Sequence, residues 1–137
     1  AQRLYLHRIH PCEKPFFHAH PWPSAITVLT EAYDMQVGYG PALGPTPDVF
    51  ATIHLVAGSE YEIAHPEGWH SVSPVGNPSL SLMLTGTPWM ESKLSSEQRR
   101  ANPPLTDAVK EGILTEMLGA LALRALYHEL RSRKVST

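Results

Sequence analysis

Phe16-Phe17-His18-Ala19-His20-Pro21-Trp22 is the stretch on which the reading of this chain turns. Side chains on a strand point to alternate faces, so two histidines one residue apart share a face and can reach one ion. Proline cannot donate a ladder hydrogen bond, and Pro21 and Pro23 bracket Trp22, so regular pairing ends just after His20. The pair is therefore expected at a strand end, where a pocket mouth can lie. It is half of a metal site.

The other half is expected in Ala64-His65-Pro66-Glu67-Gly68-Trp69-His70-Ser71-Val72. Pro66 and Gly68 make a tight turn, and His70 opens a strand that runs into Val72, with Gly76-Asn77-Pro78 forming the next turn. An isolated histidine on an apolar strand is ordinary. A His-x-His pair followed roughly fifty residues later by a proline-glycine turn and a third histidine has the pattern of a ligand set, with His18, His20 and His70 as ligands.

At 137 residues the chain is long enough for one domain with its own core, and 42% hydrophobic residues describe an ordinary water-soluble composition. A net charge of −2 gives no broad basic field to attract nucleic acid or an anionic membrane, so neither is expected as a partner. No apolar run approaches the roughly twenty residues of a membrane span, and Ala1-Gln2-Arg3 carries no signal-peptide core. The first residue is not methionine, so an earlier segment is expected to have been trimmed or lost. The single cysteine, Cys12, excludes an internal disulfide and accords with a reducing, cytoplasmic setting.

Thirteen prolines and nine glycines imply short elements and many turns, and nearly all lie before Pro104. Strands are expected at Arg3 to Ile9, around the paired histidines, at Ser24 to Thr30, Tyr33 to Tyr39, Asp48 to Ala57, Glu60 to Ala64, His70 to Val72 and Ser79 to Thr85. The third and fourth of these read as a hairpin. Leu80, Leu82 and Leu84 fall on one face of the last. Gly40 to Pro47 reads as a flexible lip or a hairpin crossover. About seven or eight short strands before residue 90 suit a β-sandwich or barrel.

Beyond Trp89 the pattern becomes helical. Ser95 to Arg100 offers a capped helix start, stopped at Asn102-Pro103-Pro104, and from Thr106 onward apolar residues recur at helical spacing to about Arg131. Two parts are expected: a β domain over 1–90 and a helical extension over 91–137. The extension would pack on the barrel or on a second copy, which points to a homodimer.

With both motifs placed, the sequence resembles a cupin. His18-Ala19-His20 matches the family's His-x-His pair, Gly58 its second-motif glycine, Pro66-Glu67-Gly68 its turn and His70 its final histidine. His18-Ala19-His20-Pro21-Trp22 with Leu82-Met83-Leu84-Thr85-Gly86 resembles, more narrowly, small bacterial cupins with an HxHPW signature. The resemblance covers Leu4 to Trp89. It implies a mainly β double-sheet jelly roll, usually dimeric, holding one divalent metal ion per chain inside one end. The family's glutamate would fall at Ser24 or Ala25, neither of which is a carboxylate, so the site is similar to three-histidine cupins of the thiol-dioxygenase type.

That similarity implies iron, with nickel, zinc or manganese as alternatives, and a dioxygenase-like reaction on a small-molecule substrate. A non-oxidative isomerase or hydrolase and a non-catalytic binding module are the other readings. Two further residues are candidates for substrate work. His54, if its strand face is interior, could carry a proton or hold a substrate group. Arg8, if inward, would fork onto a substrate carboxylate. His7 and His10 lie on opposite faces of the first strand, so at most one looks inward.

Overall fold

The computed structural model describes residues 2–89 and 105–134. The chain divides into two compact units, Ala1–Pro103 and Pro104–Thr137.

Among the described residues the first unit has eight strands: β1 (Arg3–Ile9), β2 (His18–Ala19), β3 (Ser24–Val28), β4 (Ala32–Tyr39), β5 (Ala51–Val56), β6 (Glu60–Ile63), β7 (Gly68–Pro74) and β8 (Ser79–Thr85). They form two four-stranded sheets, ordered β1-β8-β3-β6 and β2-β7-β4-β5, with every pairing antiparallel. First pairs with last, second with seventh, third with sixth and fourth with fifth. A long hairpin folded over on itself gives this order, and it is the jelly roll that the family resemblance implies.

The expected hairpin of β3 and β4 is not formed, because the two strands belong to different sheets. The reason lies at Glu31, whose φ of 59° is left-handed and swings the chain from one sheet to the other. Before the turn, the Leu29 amide donates to the Leu80 carbonyl at 2.8 Å. The hairpin partner of β4 is β5, reached through the glycine-proline loop, which is thus the crossover.

Alternation along the strands decides what fills the space between the sheets. Ile26, Ile63 and Met83 form one buried cluster, with Tyr5 and Tyr61 packed against it. Val28, Tyr33 and Met35 form another, bordered by Val37, Leu55, Tyr61 and Val72. On β8 the side chains facing these clusters are Ser79, Ser81, Met83 and Thr85, all buried. Leu80, Leu82 and Leu84 share the opposite face, as their period requires; Leu80 is buried there, and Leu82 and Leu84 stand opposite Leu6 and Leu4 of β1.

The second unit contains helix α1 (Asp107–Lys134). Thr106 caps it, its hydroxyl accepting from the Val109 amide at 3.4 Å, and Asp107 pairs with Lys110 at 2.9 Å one turn on. The helix expected at Ser95 to Arg100 lies outside the described residues. No helix among them is long and apolar enough to cross a membrane.

Candidate metal centre

β2 and β7 are paired so that His18 stands directly opposite His70. Partners in register put their side chains on the same face. His20 lies two residues beyond His18 and so turns to that face as well. The result is a cluster whose ligand atoms all lie within 4.8 Å of one another, with His20 and His70 buried and His18 half-buried. The local backbone is fixed from several sides. β7 is an inner strand of its sheet, and Val37 of β4 pairs with His70 from the other side. The amide of Trp89 donates to the Pro21 carbonyl at 3.0 Å, and its indole Nε1 donates to the His20 carbonyl at 3.3 Å.

The hydrogen bonds determine which ring nitrogens are free. The Nδ1–H of His18 donates to the Phe16 carbonyl at 2.9 Å, because a carbonyl can only accept. The Ser24 hydroxyl donates to the Trp22 carbonyl at 3.3 Å, so it accepts from the Nδ1–H of His20 at 2.8 Å. Both rings are thereby held in the tautomer that leaves Nε2 with a lone pair, as metal-ligating histidines are. The Nε2 atoms of His20 and His70 face each other at 2.9 Å. Two nitrogens each about 2.1 Å from one ion and at a right angle to it stand about 3 Å apart. The pair therefore already has the spacing of neighbouring ligands.

The electrostatics agree. Burial, and then the neighbouring His18 and His7 rings, lower the His20 pKa to about 3. Burial, with His20, His18 and His7 adding to it, lowers that of His70 to about 2. Burial also lowers His18, against the opposing effect of its bond to Phe16. All three rings are neutral at physiological pH, the form that coordinates. His70 Nδ1 is buried with no hydrogen-bond partner among the described residues, while its Nε2 is within hydrogen-bond distance of His20 Nε2. A divalent ion at the three rings suits this set, which is neutral and convergent, with His18 and His20 oriented from behind.

Ser24 stands where the family resemblance implies a glutamate. Its hydroxyl serves as the support for His20, a role its sequence position alone does not reveal. Phe16 is also unanticipated, its ring stacked on His18 with centroids 5.0 Å apart.

The other residues singled out in the sequence fall elsewhere. His54 is on the outer face of β5, with Thr52 and Val56 as expected, but that face is exposed, and Nδ1 of His54 lies 2.8 Å from an Asp34 oxygen. Arg8 is on the outer face of β1. Neither is brought to the triad, and the reason is parity, since Ala51, Ile53 and Leu55 on β5 and Tyr5, His7 and Ile9 on β1 take the inner positions. Nδ1 of His65 accepts from the Glu67 amide at 3.3 Å and lies 3.2 Å from the Tyr39 oxygen, and the residue is exposed and outside the cluster. His10 and Cys12 are exposed.

His7 is the histidine of β1 that looks inward. Burial, followed by the charge of His18, lowers its pKa. The aromatic residues near the motifs divide. Tyr61 lies 6.1 Å from His70 between ring centroids, and Trp22 stacks on Tyr5. Trp69 turns away from His70, its indole donating to the Gly40 carbonyl at 3.0 Å.

No family model matches the sequence, and no curated protein does either. Among solved structures, a protein from Bacillus halodurans is similar over 66% of this chain and 65% of its own, at 16% identity and a TM-score of 0.49. A cupin protein from Bacteroides fragilis is similar over 77% of this chain and 78% of its own, at 14% identity and a TM-score of 0.44. Hydroxypropylphosphonic acid epoxidase from S. wedmorenis is similar over 62% of this chain and 42% of its own, at 11% identity and a TM-score of 0.45. The chain thus spans just under two thirds of the first and about two fifths of the third. The jelly-roll assignment rests on strand order and register.

Proposed function

We propose that this chain is a mononuclear metal-dependent cupin enzyme with His18, His20 and His70 as ligands, using iron(II) and dioxygen on a small organic substrate. The observation that carries the reading is the 2.9 Å approach of two Nε2 atoms in a buried site where Nδ1 of His20 and of His18 is tied back. Three neutral ligands leave a divalent ion its full charge and, with no fourth ligand in the cluster among the described residues, positions for other molecules. A bound ferrous ion would supply the one-electron chemistry that dioxygen needs to react with a closed-shell compound.

The protein's own contribution is to hold and to line the site. Phe16 stacks on His18, and Tyr61 lies 6.1 Å from His70 between ring centroids, so both put aromatic surface beside the ligands. The Tyr33 and Tyr61 hydroxyls are hydrogen-bonded to each other at 3.1 Å. Burial, with Tyr33 beside it, raises the Tyr61 pKa, so the phenol stays protonated.

A homodimer belongs to the same proposal, and sedimentation of the purified chain tests it. For the activity, protein isolated from its own host is analysed for metal, then reconstituted with iron(II) and screened for oxygen uptake against small organic compounds. Iron-dependent uptake in the native chain that is absent in His70→Ala supports the reading. Turnover that proceeds equally well without oxygen overturns the oxidative part in favour of Lewis-acid chemistry.

A further inference from the structure

We propose that His7 and Ser81, a cross-strand pair on the inner face of the first sheet, form a subsite that binds an uncharged oxygen of the substrate, a hydroxyl or a carbonyl. This rests on the metal-centre reading above and names what lies beside it. The two residues are in register between β1 and β8, and Ser81 is also in register with Val28 of β3. Directly opposed residues have Cβ atoms about 5 Å apart, so a single ligand atom can reach both side chains.

The hydroxyls along β8 single out Ser81. Three of them face inward and are buried: Ser79, Ser81 and Thr85. The Ser79 hydroxyl donates to the Thr30 carbonyl at 2.8 Å, and that of Thr85 donates to the Arg3 carbonyl at 3.4 Å. Ser81, 1% exposed, has a hydroxyl with no partner among the described residues. Leaving a buried hydroxyl unpaired is unfavourable, and alanine would pack there without the penalty. A group that a ligand completes is the physical reason to keep it.

His7 supplies the second contact and the location. Its ring is close enough to the triad for His18 to act on it electrostatically, and His7 acts in turn on His20 and His70. It is nonetheless outside the cluster of mutually close ligand atoms. A ligand held at the triad can therefore extend toward His7 and Ser81. The chemical class follows from the groups at hand. A neutral imidazole and a hydroxyl offer two donors and three acceptor lone pairs, which satisfy a hydroxyl or a carbonyl. A carboxylate would call for a cation, and the eight strands contain only Arg8, on the outer face, and Arg3, exposed at the start of β1.

The test uses the full chain loaded with cobalt(II), whose visible absorption reports on its ligands. Acetate, propionate and butyrate are titrated beside glycolate, 3-hydroxypropionate and 4-hydroxybutyrate, so that carboxylates on the metal carry a hydroxyl at increasing reach. At one chain length the hydroxyl should tighten binding tenfold or more, and Ser81→Ala and His7→Phe should each abolish that preference while keeping the cobalt. A preference that persists in both variants would mean chelation by the metal alone and would overturn the subsite, as would no preference at any length in cobalt-loaded native protein. A native chain that takes up no cobalt overturns the metal centre itself, and the subsite with it. Independently of metal, Ser81→Ala should melt at or above the native temperature, and a clear drop would mark the hydroxyl as structural and refute the proposal.

Discussion

At the scale of single residues, the candidate site is defined by what stands behind the histidines as much as by the histidines. The Ser24 hydroxyl fixes the tautomer of His20, so Ser24→Ala should weaken metal binding about 10- to 100-fold with the fold intact. Competition against a chelator of known affinity measures this, and an unchanged affinity would mean the hydroxyl has no supporting role. The buried rings also set a pH dependence. Above the ordinary histidine value of 6.5, native and unfolded chains both carry neutral imidazoles at His20 and His70. As the pH falls below 6.5 the unfolded chain binds protons that the native site refuses down to about 3 and about 2, so stability falls with acid. Each ring contributes a slope of about 1.4 kcal/mol per pH unit in that window. Denaturant titrations of metal-free protein at pH 7 and pH 5 should show the loss, and it should shrink in His70→Phe.

At the scale of elements, the turn between β3 and β4 is the place where local preference and fold disagree. A non-glycine residue in the left-handed region costs about 1 kcal/mol, so Glu31→Gly should raise stability by about that amount, measurable as a higher denaturant midpoint. A decrease would show that the Glu31 side chain contributes more than its backbone costs. The same turn shows what was legible in the sequence. The strands at Arg3–Ile9 and Ser79–Thr85 could be read to the residue, because β-branched and apolar runs end there at proline or glycine. The partner of each strand could not be read. Alternation is the same whether a strand pairs with its successor in the chain or with one fifty residues away, and β3 and β4 were for that reason placed together. The shared face of the β8 leucines is legible from their period, but which face of β8 lies between the sheets is not.

At the scale of the whole first unit, the triad joins the two ends of a folded-over hairpin. His18 and His20 come from the second strand and its exit, and His70 comes from the seventh, which topology makes their neighbour. Spacing alone disclosed these three, since the His-x-His parity and the turn before His70 are local signals. It did not disclose His7 or Ser24, because strand parity needs a known inner face and a hydrogen bond needs coordinates. His54 and Arg8 have apt chemistry, but strand parity puts them on the outer faces of β5 and β1. If the centre takes up metal, the ligand binds the native state alone and stabilises it, by about 2.7 kcal/mol at a hundredfold excess over Kd. The most direct test is the metal content per chain, by elemental analysis, of the native protein, of His70→Ala and, as a control, of His128→Ala, which alters a histidine of helix α1. The account predicts one equivalent in the native protein and in His128→Ala and nearly none in His70→Ala; equal metal in both variants would contradict it.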